Sequence, residues 1–246
     1  MGLQLHHWPG HVVRVQACTM VSALFRAFGN LFAPALRRVV GLGLAGAVAS
    51  FAVLWVALAI ILGHSARFGW RALDWLVDLL GALAVAGLSW LLFPAVVTLV
   101  MGFFLDRIAG AVEALDYPGK GPPRRAPITE TALTTVRLMG LTILLNLLAL
   151  PVYVLIPGIN FFVFLSLNGY LFGREYFEVV ALRRLDRTAA RAARHRSAGR
   201  VFLGGVMIAG LFIVPLVNLV APVIATAFMV HLFEGLRRAE PHFLAS

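Results

Sequence analysis

Four stretches of this chain contain no Asp, Glu, Lys or Arg. They lie between Arg38 and Arg67, Asp78 and Asp106, Arg137 and Arg174, and Arg200 and Glu234, and hold 28, 27, 36 and 33 residues. Each exceeds the ~20 apolar residues that cross a ~30 Å hydrocarbon layer as a helix. In lipid only helices and closed barrels satisfy their own backbone, and strand-like alternation is absent, so the stretches read as helices. Composition supports this: 13% of the residues are charged, about half the ~25% of a soluble domain. A soluble fold is excluded, because too little polar material remains to cover a surface in water.

The first apolar run begins at Val39, behind an irregular stretch with four arginines, so it reads as a membrane helix rather than a cleaved leader. Residues 39–62 and 75–105 are long enough to span, with Pro94 a candidate kink. The other two runs are cut by proline, at Pro151 and Pro157-Gly158 in one and at Pro215 and Pro222 in the other. Splitting them gives 141–156, 160–172, 201–214 and 219–233, pieces of ~20 to 24 Å at the helical rise, short for a full crossing. Each run is therefore one interrupted span or a hairpin that returns to its own side.

Counting Lys and Arg chooses between these. If all four runs cross, the two sides carry 11 and 10; if the last two turn back, the tally is 19 against 2. The bias of positive residues toward the cytoplasm favours the second arrangement. Its cost is irregular backbone near Pro157 and Pro215, tolerated only where it is buried in protein or lines a wet cavity. The predicted fold is all-α and integral to the membrane, with two long transmembrane helices and two re-entrant, hemi-penetrating helical hairpins. Residues 1–20 are expected to form a disordered N-terminal tail, 21–238 the membrane domain and 239–246 a C-terminal tail. Met20 is an alternative start to Met1.

The two broken runs resemble each other. Pro157-Gly158-Ile159-Asn160 and Pro215-Leu216-Val217-Asn218 share P-x-x-N, and Glu175, Glu178 and Arg183-Arg184 downstream answer to Glu234 and Arg237-Arg238. Paired broken segments point to a transport site, because half-helix N-termini carry free N–H groups and a positive dipole end. Asn160 and Asn218 read as N-caps of the returning halves, either alone or facing an anion as well. A second anion candidate is Pro34-Ala35-Leu36-Arg37-Arg38, where proline opens a helix beside two guanidiniums; an ordinary positive anchor is the alternative.

Taken together these residues resemble the CysZ sulfate permeases and their etoposide-induced-protein-like relatives. The likeness covers roughly residues 21–238. It rests on Pro34 to Arg38, Gly102-Phe103-Phe104-Leu105-Asp106-Arg107 with Val112-Glu113, Ile156 to Asn160, the stretch from Asn168 to Tyr176, and Val214 to Leu219. The resemblance implies passive sulfate entry for cysteine synthesis, in a homo-oligomer in the bacterial inner membrane. It carries the sulfate-touching turn over to Ala35, Leu36, Arg37 and Arg38, with Ala35 standing where the family commonly has glycine. Glu175-Tyr176 resembles the family's tyrosine-acid pattern.

Other features weigh less. Gly41 to Gly46 fits a dinucleotide pattern but lacks the strand and the acid it needs; Gly41, Ala45 and Ala49 at spacing four instead suit close approach of another helix. His6, His7 and His11 lack flanking acids or thiols, and Cys18 stands alone, so no metal site and no cofactor is expected. The pairs Asp74/Asp78 and Glu113/Asp116 fall in connections where water can solvate them, and Ser65, Ser89 and Ser166 have no nearby histidine; no catalytic group, and no enzyme, is expected. Arg187, Arg191, Arg194 and Arg200 form a basic amphipathic stretch suited to anionic lipid rather than nucleic acid. Arg174 and Glu178 read as a structural bridge or, with Glu175, as a gate. The functional expectation is passage of sulfate or a similar oxyanion, with both termini cytoplasmic. The alternative is a non-transporting membrane scaffold that binds anionic lipid or a partner.

Overall fold

A computed structural model describes residues 9–63, 104–124 and 128–239, with scattered positions from 79 to 102 between them. Every regular element among the described residues is helical. In chain order they are α1 (Pro9–Asn30), α2 (Pro34–Gly63), α3 (Leu105–Asp116), α4 (Ile128–Leu155), a 3-10 turn (Pro157–Ile159), α5 (Asn160–Ala181), α6 (Arg187–Arg196), α7 (Ala198–Ile213), the four-residue α8 (Pro215–Asn218) and α9 (Ala221–Ala239).

Two helices are long and apolar enough to cross a bilayer: α2 over Pro34–Val56 and α4 over Val136–Leu155. The first is the run expected from the sequence. The second expected span, 75–105, lies mostly outside the described residues, as do His6, His7, Ser65, Asp74, Asp78 and positions 240–246; the described positions from 79 to 102 are helical.

The arm read from the sequence as 141–156 belongs to a helix of 28 residues, ~42 Å long at the helical rise. The sequence reading began where charges ended, whereas the helix also takes in the polar turn from Ile128 to Arg137. Pro151 lies inside this helix without ending it; the lost N–H costs one bond in a run otherwise rich in leucine. Pro222 falls in the first turn of α9, where proline costs little. The breaks are therefore Pro157-Gly158 and the segment from Val214 to Val220.

The chain doubles back at both. Leu141 and Leu145 of α4 face Phe162, Val163, Leu167 and Tyr170 of α5 across a groove of ≈730 Å3. Helices α5 and α7 then pack antiparallel with their backbones almost touching. A Cβ on Gly173 would lie 2.5 Å from the Val201 carbonyl oxygen, one on Gly169 would lie 2.5 Å from Val206 Cγ2, and one on Gly205 would run into the Gly169 carbonyl. Beyond the second break, Gly204 of α7 looks onto Phe228 and Leu232 of α9. This register puts both breaks at one end of the bundle, the tip, and the 174–200 connection at the other, the base.

Helix α9 is the centre. Every residue from Ala221 to Glu234 is buried, as expected of a helix apolar on nearly all sides, and α1, α3, α5 and α7 pack around it. Phe177, Phe228, Phe233, Ile108, Ile208 and Leu36 are fully enclosed in this core. By contrast α2 and α4 expose long apolar faces, among them Val53, Val56, Leu147, Leu148 and Val154, the surface a lipid-facing helix presents. The small residues Gly41, Ala45 and Ala49 are exposed, and within the chain the close helix approach runs through Gly169, Gly173 and Gly205.

Candidate functional site

The turn before α2 is held by one side chain. Leu36 is fully enclosed in the core, while Ala35, Arg37 and Arg38 face outward. Pro34 has no N–H, and Arg37 N–H donates back to the Ala33 carbonyl at 2.9 Å. The open donors of this first turn are therefore the N–H groups of Ala35 and Leu36. Arg37 and Arg38 have no carboxylate partner among the described residues, so two free guanidiniums flank two free N–H groups at a positive helix end. Leu36 can offer a ligand only its backbone.

At the tip, the proline-asparagine pairs do something the sequence reading did not anticipate. The N-cap of α5 is Ile159, with no side-chain cap, so Asn160 does not cap the helix it begins. Its amide Nδ2 instead donates to the Tyr153 carbonyl at 3.1 Å. That carbonyl would ordinarily accept from residue 157, which is proline and has no N–H. Asn160 thus supplies the bond that Pro157 removes. Asn218 ends α8 and donates its own N–H to the Val214 carbonyl at 2.8 Å; it precedes α9 by three residues rather than capping it. Both asparagines keep a buried Oδ1 with no partner among the described residues. These free atoms are acceptors, so they would meet an oxyanion through an intervening water. Gly158 is exposed in the turn and Pro215 opens α8.

Helix α5 carries the three residues read as a gate. Arg174 Nε donates to Glu178 Oε1 at 3.1 Å, and Arg194 Nε of α6 stands 3.8 Å from the same oxygen, so Glu178 ties α5 to α6 and the bridge reading holds. Glu175 is partly buried and has no hydrogen-bond or ion-pair partner among the described residues.

The base is a polar network. Arg183, 7% exposed, pairs with Asp106 and with Glu113 Oε2 at 3.2 Å, while Arg184 reaches Glu113 at 2.7 Å and the Gly121 carbonyl at 2.7 Å. Glu113 is 5% exposed, not solvated as its position in a connection suggested. Burial pushes its carboxyl up, but the hydrogen bonds and charges of Arg184 and Arg183 outweigh this and hold it below the usual carboxylate range. Glu234 on α9 pairs with Lys120 and, at 3.0 Å, with Arg237.

A second knot fixes α1 to α9. Asn30 Nδ2 lies 2.8 Å from Asp116 Oδ2 and 3.0 Å from His231 Nε2, and His231 Nδ1 lies 2.8 Å from Tyr117 Oη. One NH2 group serving a carboxylate and an imidazole makes His231 Nε2 an acceptor, so its proton sits on Nδ1 and is donated to Tyr117. Sequence patterning missed this network because its members lie up to 201 positions apart.

Apart from Arg174, Glu175 and Glu178 on α5, the predicted site residues separate into two groups. The turn at Ala35 to Arg38 follows Asn30 and lies at the base; Pro157 to Asn160 and Pro215 to Asn218 lie at the tip. They are roughly 30 Å apart along α5 at the helical rise, so no single anion touches both.

Among the described residues every regular element is helical, two helices are apolar and of bilayer length, and the charged side chains gather at the base, which defines the class as a helical membrane protein. The chain belongs to the family described as sulfate transporter CysZ/etoposide-induced protein 2.4, whose profile matches residues 23–222. That span includes the turn before α2, both breaks and the Glu113–Arg183–Arg184 cluster. No curated protein matches the chain.

Proposed function

We propose that the protein passes sulfate or a similar inorganic oxyanion across the bacterial inner membrane, supplying sulfate for cysteine synthesis, with no covalent step. In this reading both termini and the base face the cytoplasm. The hairpins α4–α5 and α7–α9 enter the membrane from that side and turn within it, and copies of the chain assemble around the path. The observation that carries the reading is the family match, which covers the first doubled-back segment and the second as far as the start of α9, reinforced by the free donors around Arg37 and Arg38. Those donors suit a dianion, since charge-assisted bonds from Arg and from a helix start are among the stronger ones available in water. The tip serves as a separate station where half-helix ends and water held on Asn160 and Asn218 replace part of the hydration shell. Glu178, held between Arg174 and Arg194, and the unpaired Glu175 stand on the helix joining the two stations.

Radiolabelled sulfate uptake by liposomes carrying the purified protein tests this. Uptake above that of empty vesicles is expected; uptake equal to theirs would leave the scaffold alternative in its place.

A further inference from the structure

Helix α6 is occupied on one side only. Ala190 and Ala193 are buried against the bundle, Arg194 reaches toward Glu178, and Asp186 caps the N-terminus, accepting from Ala189 N–H at 2.8 Å and from Thr188 Oγ1 at 2.6 Å. On another face Arg187, Arg191 and His195 recur at spacing four and form one ridge. Arg191 and His195 are exposed, Arg187 is half-buried, and none of the three has an ion-pair partner among the described residues.

This ridge works against its own helix. Like charges one turn apart repel, and Arg187 in the first turn opposes the helix dipole. A helix of 10 residues has little intrinsic stability to spare. An external anion along the ridge would cancel both terms.

Geometry says where that anion is. Helices α6 and α7 meet at 87°, and α7 exposes Phe202 and Leu203 near its start. With α7 in the hydrocarbon, α6 lies along the bilayer surface, at the depth of the headgroups. We propose that the Arg187–Arg191–His195 ridge docks anionic phospholipid headgroups of the leaflet on which it lies. The inference rests on the membrane placement above but not on sulfate passage, so loss of flux and loss of lipid docking are separate results.

The test titrates the full-length protein in neutral detergent with phosphatidylglycerol, phosphatidylcholine or inorganic phosphate, following melting temperature and counting bound lipid by native mass spectrometry. Phosphatidylglycerol is expected to bind and raise the melting temperature, with phosphatidylcholine and phosphate inert. Arg187→Gln with Arg191→Gln should weaken phosphatidylglycerol binding on the order of 25-fold, about fivefold per charge, with a melting temperature in lipid-free detergent slightly above that of the wild type, because the repulsion and the dipole clash are gone. Arg187→Lys with Arg191→Lys should keep the response. Equal responses to both lipids, a response reproduced by phosphate alone, or an oligonucleotide that displaces phosphatidylglycerol would overturn the proposal. Should the glutamine pair be unstable without lipid, the lysine pair decides, and its failure to respond would overturn the proposal equally.

Discussion

Replacing Gly205 with alanine tests the packing that places both breaks at the tip. A methyl there would collide with the Gly169 carbonyl and sit 2.5 Å from Gly173 N. Carbon contacts settle at ~3.5 Å or beyond, so α5 and α7 must separate by about 1.5 Å to clear the Gly169 carbonyl, and no flexible side chain is present to yield. Overpacking of this kind costs ~1–3 kcal/mol, here toward the upper end because backbone blocks the methyl. The better helix propensity of alanine returns ~1 kcal/mol, leaving a net loss of about 2 kcal/mol. Gly210→Ala on the same helix is the matched control, since a Cβ there meets nothing within 4 Å; it should gain up to ~1 kcal/mol. The two variants should differ by about 3 kcal/mol, roughly 6–12 °C in melting temperature for a chain of this size. Thermal unfolding in one detergent, with both variants side by side, reads the difference. Equal melting temperatures would refute the backbone contact and, with it, the antiparallel register of α5 and α7.

Glu113→Gln should cost on the order of 3 kcal/mol, because it leaves the buried Arg183 and the half-buried Arg184 with one charge partner fewer; thermal unfolding checks this. Since the folded protein holds Glu113 below its ordinary value of 4.5, its contribution is complete above that value and is lost as pH falls from there through the folded pKa. The wild type should lose stability over that acid interval more steeply than Glu113→Gln in an acid-unfolding series. Asn160→Ala should cost ~1 kcal/mol by orphaning the Tyr153 carbonyl. In a Pro157→Ala background residue 157 regains its N–H and the cost should shrink, a coupling that a double-mutant cycle on melting measures. Arg37→Ala with Arg38→Ala should weaken sulfate binding at least tenfold by calorimetry while leaving melting within ~0.5 kcal/mol, because both side chains are exposed.

The helical membrane class was legible because charge-free length obeys lipid physics regardless of detail. Proline positions marked the start of the first apolar helix at Pro34 and the breaks at Pro157 and Pro215. It misjudged α4, because absence of charge marks hydrocarbon and not helix ends; the polar turn from Ile128 to Arg137 is helical all the same. Pro151 shows the converse, a proline that a long helix absorbs. The tip asparagines were found by their repeated spacing but given the wrong partner: an N-cap follows from position alone, whereas the bond from Asn160 to Tyr153 follows from what Pro157 cannot donate. The Gly169-x-x-x-Gly173 spacing was in plain view and carries the tightest contact among the described glycines, while the similar Gly41–Ala45–Ala49 stripe faces outward. The base network had no local signal, since Glu113 meets Arg183 and Arg184 about 70 positions away.

Sidedness is the most direct test of the account. In a Cys18→Ser background, single cysteines at the exposed Ala114→Cys of α3 and Ala198→Cys of α7 are treated with a membrane-impermeant maleimide in right-side-out and inverted vesicles. Both positions should react in the inverted vesicles and be protected in the others, since the α4–α5 hairpin between them returns the chain to the face it left. Reaction of Ala198→Cys from the outside, with Ala114→Cys protected there, would contradict it.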